Sequence, residues 1–476
     1  MTGQLNFLDL VGKVDQEEWA IAMVGFTIIV FIFTLLFYAD TDQPSSSIFS
    51  TYDVVDLTLL HNAKDRGAFC LDGSLPGYHF QKGFGSGSNN WLLHLEGGGW
   101  CNSVASCLSR KTKPSGSSNF MEKQVQFFGI LSSDTSQNPD FFNWNKVKIR
   151  YCDGASFAGH PDSELKASLI CLGFESLFIV KFCNSVSFTM QVFLPMFIIL
   201  CHRMEQSFSL EASSSGKHLW MNYYLWACLM PSRMKLLVCF VNIDHVELEL
   251  AVYFINYCGL QALLSGCSAG GLATFIHCDE FRDRLPKHVT VKCLADAGFF
   301  LDEPDILGNR TIRSFYHDVV DLQGVAKSLN MDCLSRMESF KAEFVKNIRT
   351  PVFIVNPAYD FWQVRNILVP NASDPHGKWG PCKLNIHSCN PHQLEILQGY
   401  RSSMLKALSE SQQIQGGGMF INSCFIHCQT SMAEKWHSPN SPRINSKTIA
   451  ESVSDWYFDR RAVKQIDCPY PCNPTC

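Results

Sequence analysis

The sequence predicts an α/β fold in which two helical layers enclose a mostly parallel β-sheet as a three-layer sandwich. Short apolar runs alternate with stretches of helical pattern along the second half of the chain, and this alternation favours parallel strands joined by crossover helices. Several of the runs end at glycine-rich or polar loops. Ligands of parallel sheets bind beyond the carboxyl ends of the strands, so the fold class also predicts where a functional site lies.

The clearest of these strand ends follows the apolar run Gln261–Leu264. The next residues form a Gly-x-Ser-x-Gly pattern centred on Ser268, with small residues at Gly266, Ala269 and Gly270. A tight strand-to-helix turn of this kind is a nucleophile elbow, which presents the serine hydroxyl at the end of the strand and is typical of α/β-hydrolase folds. The alternative is a glycine-rich turn that carries a surface serine.

A second glycine-rich loop precedes the elbow in the chain. The apolar run Trp91–Leu95 predicts a buried strand, and three glycines and Trp100 follow Glu96 directly. Consecutive glycines allow backbone N–H groups to turn towards one point, as an oxyanion hole requires. A flexible turn is the other interpretation, but its position before a nucleophile elbow favours the oxyanion hole.

The other predicted elements complete the sheet and its loops. Asp153 follows the predicted strand Lys146–Tyr151 and is predicted either to touch substrate or to stabilise its own turn. Further strands are predicted at Lys146–Tyr151, Val291–Ala295, Pro351–Val355 and Met419–Ile421, helices at Met121–Phe128 and Leu272–Phe281, and surface loops within Asn62–Gly87.

A catalytic serine needs a base and an acid that orients the base. Ser268, Asp360 and His427 occur in the order that α/β-hydrolases use, and each follows a separate predicted strand. Spacing alone leaves competitors open for both partners, namely Asp296, Asp302 and Asp374 for the acid and His376, His387, His392 and His437 for the base.

Composition bounds the compartment and the partners. The formal charge of −5 gives no basic patch for nucleic acid. Twenty-one cysteines and two glycosylation sequons, at Asn309 and Asn371, favour an oxidising compartment, so the catalytic part is predicted to be lumenal or extracellular. The cysteines at 468, 472 and 476 lack a histidine cluster at zinc-ligand spacing and are expected to form disulfides. No metal or cofactor is predicted.

The N-terminal region is predicted to be separate from the enzyme domain. Residues 1–50 read as a tail, an uncharged membrane-spanning or signal-anchor run at Trp19–Tyr38, and a polar linker, while residues 51–476 form the hydrolase domain. A cleaved signal peptide and a buried core helix are the alternatives for this run.

Several motifs together resemble the plant pectin acetylesterases, which are related to the Notum carboxylesterases. The similarity covers roughly Leu57–Gly159 and Gln261 to the end. It implies an α/β-hydrolase-like fold, Ser268 as nucleophile, Asp360 as orienting acid and His427 as base. The motifs are Leu95–Cys101, Ser265–Gly271, Asn356–Trp362, Asn422–Gln429 and Asp467–Cys476, and the implied oxyanion hole uses backbone N–H groups at Gly98, Gly99, Trp100 and Ala269.

The resemblance stops between Lys166 and Gly259. This segment is apolar without a steady period, and each apolar run in it is interrupted or too short to span a bilayer. Reading Trp220–Tyr224 with the codons displaced by one base gives Asp-Glu-Leu-Leu, which resembles a piece of the family's helix before the elbow. The hypothesis is a gene-model fault, with translated intron around a frame-shifted helix; coincidence is the alternative.

The expected reaction is hydrolysis of acetyl esters on pectin through an acyl-enzyme. Two alternatives stay open from sequence. One is a Notum-like deacylase of a lipid or an acylated protein, and the other is a membrane-anchored relative that the Lys166–Gly259 segment has disabled.

Overall fold

The computed structural model describes residues 54–159, 260–328, 345, 347–410 and 416–476. The predicted anchor Trp19–Tyr38, the domain boundary near residue 50 and the Lys166–Gly259 segment all lie outside these residues. Within them, no helix combines the length and the apolar character that crossing a bilayer requires.

One sheet of ten strands runs through the described residues. Its order is β10-β9-β8-β7-β6-β3-β5-β2-β1-β4. The strands from β10 to β5 in this order are parallel to their neighbours, whereas β2, β1 and β4 add an antiparallel edge. The strands are β1 Val54–Leu59, β2 Gly77–Gln81, β3 Asn90–Leu95, β4 Gln124–Gln126, β5 Asn145–Ile149, β6 Gln261–Cys267, β7 Thr290–Asp296, β8 Val352–Val355, β9 Gly418–Ile421 and β10 Lys464–Ile466.

Helices cover both faces of this sheet. The described helices are α1 Val104–Arg110, α2 Ala269–Asp283, α3 Thr311–Gln323, α4 Phe361–Gln363, α5 Gly380–Leu384, α6 Pro391–Glu410, α7 Ala433–Trp436 and α8 Ile449–Tyr457. The longest of them are α2 and α6, and a π-helical turn, Val364–Leu368, follows the short α4.

Each face of the sheet has its own apolar core because successive side chains of a strand point to opposite faces. In β6, Ala262 and Leu264 pack with residues of α2 and α6, while Leu263 packs in the other core with residues of α8. Both faces of the central strands are therefore buried, which explains their nearly continuous apolar sequences. The three-layer, mostly parallel fold predicted from sequence is confirmed.

The antiparallel edge differs from the prediction. The expected helix at Met121–Phe128 is wrong, because Gln124–Gln126 forms β4 and pairs with β1. The expected loop region Asn62–Gly87 contains β2, whose Tyr78 and His79 are buried between β1 and β5. Polar residues interrupt both stretches, so neither shows the apolar run that marks the central strands.

Candidate active site

The elbow after β6 has the backbone strain expected of a nucleophile turn. Ser268 has φ +59° and ψ −123°, a region that side-chain-bearing residues rarely adopt, and it immediately precedes the first residue of α2. A Cβ on Gly270 would collide with the Leu95 carbonyl and lie 2.7 Å from the Glu96 oxygen. Glycine is therefore required for the close approach of α2 to the loop that follows β3.

The glycine loop after β3 lies directly against the serine. A Cβ on Gly97 would lie 2.8 Å from the Ser268 Cβ, so this glycine contacts the elbow itself. Gly99 has φ +68°, which turns the chain before Trp100. The first N–H groups of α2, beginning with Ala269, have no intrahelical acceptor. The structure thus places the loop that carries Gly98, Gly99 and Trp100 against the elbow, where Ala269 directly follows Ser268.

Asp360 and His427 form a hydrogen-bonded pair at the ends of β8 and β9. His427 Nδ1 lies 2.7 Å from Asp360 Oδ2 and 2.9 Å from Oδ1. Asp360 is fully buried, and its Oδ1 also accepts the backbone N–H groups of Trp362 and Gln363 at the start of α4. This arrangement fixes the imidazole, and the buried Nε2 has no hydrogen-bond partner among the described residues.

A disulfide brings the histidine loop to the elbow. Cys267, which precedes Ser268, is bonded to Cys428, which follows His427, and their Cα atoms are 5.7 Å apart. Among the described residues, however, no hydrogen bond joins the Ser268 hydroxyl to His427. Catalytic hydrogen bonds are often long in free enzymes and shorten when substrate binds.

Asp296, at the end of β7, also connects the elbow to the histidine loop, through hydrogen bonds to both. Its backbone carbonyl accepts the Ser268 N–H at 2.9 Å, and its Oδ2 accepts the N–H groups of Gln429 and Thr430 at 2.6 and 2.7 Å. Burial raises the pKa of this carboxyl, although the hydrogen bonds from Thr430 and Gln429 oppose the shift. Sequence reasoning considered Asp296 only as a rival acid and missed this role.

Asp153 does not join this cluster of side chains. Its carboxylate accepts the backbone N–H groups of Ala155 and Gly159, so it stabilises its own loop. Burial raises its pKa. The structure favours the turn interpretation that the sequence left open.

The competing acids and bases have other partners or exposed positions. Asp302 pairs with Arg313, and Asp374 with Lys383. His387 contacts the Tyr470 hydroxyl, and His437 the Thr448 hydroxyl. His376 and His392 are exposed.

An aromatic cluster lies between the glycine loop and the imidazole. The Trp100 ring centroid lies 4.9, 5.1 and 5.6 Å from those of Phe300, Tyr316 and Trp362. Trp362 in turn stacks on His427 at 6.1 Å. Sequence reasoning singled out none of these contacts.

Two side-chain groups resemble metal ligand sets by distance, but their chemistry excludes thiolate ligation. One contains Cys267, His427 and Cys428, and the other contains Asp467, Cys468 and Cys472. The cysteines of each group are bonded to one another. A sulfur in a disulfide cannot act as a thiolate ligand.

Comparison with known proteins identifies the family. The family model described as Pectinacetylesterase matches residues 48–176 and 258–476. The chain belongs to this family. It is 48% identical to pectin acetylesterase 5 of Arabidopsis thaliana over 474 residues, covering 98% of this chain and 96% of that protein. Pectin acetylesterase 4 of the same plant is 46% identical over 466 residues, with 97% of each chain covered. The family is one of carboxylic ester hydrolases, and so is this protein.

Solved structures agree on the fold. The Wnt deacylase Notum from Drosophila superposes with a TM-score of 0.57, covering 89% of this chain and 99% of that chain, at 18% identity. This likeness establishes a Notum-like α/β-hydrolase fold.

The disulfides indicate where the protein resides. Seven disulfides occur among the described residues, including Cys468–Cys472 and Cys424–Cys476, so the predicted disulfide-tied C-terminus is confirmed. Disulfides persist in oxidising compartments, which agrees with the secretory or extracellular location expected for this family.

Proposed function

We propose that the protein removes acetyl groups from pectin through a Ser268-His427-Asp360 triad. The observation that carries the proposal is the buried Asp360–His427 pair. His427 Nε2 has no hydrogen-bond partner among the described residues. The next residue, Cys428, forms the disulfide to Cys267 in the elbow. The close, full-length relationship to pectin acetylesterases supplies the substrate class.

The reaction proceeds in two steps. Ser268 Oγ attacks the acetyl carbonyl carbon while His427 Nε2 takes the hydroxyl proton, and Asp360 holds Nδ1–H and stabilises the imidazolium. The oxyanion is bound by N–H groups of Gly99, Trp100 and Ala269, with Gly98 positioning the loop. His427 returns the proton to the departing sugar oxygen. Water, deprotonated by His427, then attacks the acetyl-serine, and His427 returns this proton to Ser268 Oγ as acetic acid is released and ionises to acetate.

The aromatic cluster supports a short acyl group. Trp100 and Trp362 flank the glycine loop and the imidazole, and Phe300 and Tyr316 fill the space beside Trp100. We infer that this packed cluster borders the acyl group, where an acetyl group needs less room than a long acyl chain. This inference favours deacetylation of pectin over the Notum-like alternative.

A guanidinium near the imidazole supports an acidic polysaccharide. The Phe361 ring lies 5.9 Å from the His427 ring, and the Arg365 Cζ lies 4.6 Å from the centroid of Phe361. Arg365 Nε donates to the Lys383 carbonyl, but no carboxylate among the described residues pairs with this guanidinium. A uronate carboxylate on the polymer is a suitable partner.

The decisive experiment compares acetate release from acetylated pectin with release of fatty acid from a palmitoleoylated peptide. We expect acetate from pectin and none with Ser268→Ala. Fatty acid release without acetate release supports the deacylase, and a folded protein that hydrolyses neither ester supports the disabled relative.

The substrate's charge is tested separately with Arg365→Gln. Losing one charge-assisted bond should raise KM for acetylated pectin about tenfold and leave p-nitrophenyl acetate hydrolysis unchanged. Arg282→Gln is the matched control. Arg282 also donates to backbone carbonyls, but it lies at the end of α2 far from Ser268. Equal effects of the two substitutions contradict a uronate subsite.

The proposal extends to the two segments outside the described residues. We propose that Trp19–Tyr38 either anchors the 51–476 esterase domain in the membrane, with the domain lumenal or outside, or is cleaved as a signal peptide so that the domain reaches the cell wall. Carbonate extraction and N-terminal sequencing of the secreted protein test this proposal. The family match omits residues 177–257, which lie within the segment attributed to a gene-model fault. Sequencing the transcript tests that hypothesis, and an mRNA that encodes the printed segment contradicts it.

A further inference from the structure

Two side chains hold the carbonyl groups of the glycine loop after β3. Arg110 Nη2 donates to the Gly98 carbonyl at 2.7 Å. The Tyr151 hydroxyl donates to the Gly99 carbonyl, also at 2.7 Å. Two successive peptide groups of this loop are therefore each fixed by a side chain from a different element, α1 and the loop after β5.

Both donors are themselves held in place. The Tyr151 hydroxyl accepts the Ser156 N–H at 3.0 Å, so its own proton is directed to Gly99. Burial raises the pKa of Tyr151 well above its ordinary value, which keeps this proton on the hydroxyl. The Arg110 guanidinium lies 5.8 Å from the centroid of the Tyr151 ring. A Cβ on Gly98 would lie 2.6 Å from Tyr151 Cδ1, so the loop packs directly on this ring.

The direction of each carbonyl determines the direction of the next N–H. In a planar trans peptide, the carbonyl of one residue and the N–H of the following residue point in opposite directions. Holding the Gly98 carbonyl at Arg110 thus turns the Gly99 N–H away from Arg110. Holding the Gly99 carbonyl at Tyr151 turns the Trp100 N–H away from Tyr151. These are two of the N–H groups assigned to the oxyanion hole.

We infer that Arg110 and Tyr151 are positioning residues that aim the Gly99 and Trp100 N–H groups at the oxyanion. This inference rests on the proposed triad and acyl-enzyme. Both side chains act through the peptide groups that they hold. A glycine loop is otherwise free to rotate these peptides, and donors that are already oriented are the main source of oxyanion stabilisation.

The test uses Tyr151→Phe and Arg110→Met with p-nitrophenyl acetate, so that it does not depend on pectin being the substrate. Each substitution should lower kcat about tenfold with KM nearly unchanged, less than the hundredfold or more that follows loss of a whole oxyanion donor. The affinity for a boronic acid, which forms a tetrahedral adduct with the serine, should fall in the same proportion as kcat/KM. A merely structural role predicts no such parallel.

Tyr457→Phe is the matched control, because it removes a buried tyrosine hydroxyl from the core that α8 covers and should leave kcat unchanged. Arg110 is partly exposed, so Arg110→Met tests the inference even if Tyr151→Phe fails to fold. Wild-type kcat in a folded variant, or a change in KM alone, overturns the inference. Activity that survives Ser268→Ala is a different result, because it contradicts the proposed triad itself and with it this inference.

Discussion

The parallel strands and the antiparallel edge of the same sheet contribute differently to the site. Strands β3, β6, β8 and β9 each end in a loop that carries a candidate site residue, whereas β2, β1 and β4 carry none of them. Carboxyl ends of parallel strands meet at one edge of the sheet, so neighbouring strands bring distant residues together. We therefore expect substitutions at the parallel strand ends to change activity and substitutions at the antiparallel edge to change mainly stability.

The largest expected effect comes from breaking the acid–base pair at the parallel strand ends. Asp360→Asn should lower kcat by about four orders of magnitude, because the amide no longer fixes the required imidazole tautomer. The melting temperature should change much less than activity. Initial rates with acetylated pectin measure the loss. Asp302→Asn, at a rival acid that pairs with Arg313, serves as control; if it inactivates the enzyme as strongly, the assignment of the acid is wrong.

The next effect concerns the disulfide between the elbow and the histidine loop. Replacing Cys267 and Cys428 by alanine should lower kcat about tenfold or more, since misplacing catalytic groups by about 1 Å is costly. It should also lower the free energy of unfolding by about 2–5 kcal/mol, because the bond joins residues 161 apart. The Cys468–Cys472 bond spans 4 residues, and its removal should affect kcat little. Equal kinetic effects of the two removals contradict the positioning role.

A smaller effect, on the pH dependence of stability, is expected from a buried histidine in each of the two parts of the sheet. His94 on β3 contacts the Ser265 hydroxyl at 3.0 Å, and burial lowers its pKa to about 3. Burial also lowers the pKa of His79 on β2. Below pH 6.5 these histidines bind a proton in the unfolded chain but not in the folded chain. Their contribution to the free energy of unfolding is therefore complete above that pH and is lost as the pH falls towards 3.

The pH dependence of unfolding tests this sign. From His94 alone, the free energy of unfolding should be about 2 kcal/mol lower at pH 5 than at pH 8. His94→Gln should flatten the profile between these values, and the profile follows from urea titrations at each pH. A His94→Gln profile that falls between pH 8 and pH 5 as steeply as that of the wild type contradicts a neutral buried His94.

The smallest effect on activity is expected at the antiparallel edge. Val55 on β1 is buried in the core that α8 covers, so Val55→Ala should cost about 1–2 kcal/mol of stability. The kcat at 25 °C should stay at the wild-type value, because no site loop follows β1. A large fall in kcat with intact stability would remove the distinction between the two parts of the sheet.

The same contrast explains how much the sequence predicted. Central parallel strands are buried on both faces, so runs such as Val352–Val355 are apolar throughout and predict strands correctly. Strand Gly77–Gln81 of the antiparallel region mixes Tyr, His, Phe and Gln, so its sequence predicts a loop, and the sequence around Gln124–Gln126 predicts a helix. Their strand character depends on pairing partners that are distant in the chain.

The site shows a similar division. The spacing of motifs and their resemblance to the family selected Asp360 and His427, which the structure pairs. Contacts formed only by folding were missed, such as the Tyr151 hydroxyl on the Gly99 carbonyl. Disulfide connectivity cannot be deduced from cysteine positions, although Cys267 and Cys428 lie next to Ser268 and His427 in the sequence.

The most direct test of the account is to locate the covalent adduct after reaction of the full chain with a fluorophosphonate, by mass spectrometry of its peptides. The account predicts one adduct, on Ser268, that is absent in Ser268→Ala and forms far more slowly in His427→Ala. An adduct on a different residue, together with acetyl ester hydrolysis that survives Ser268→Ala, would contradict it.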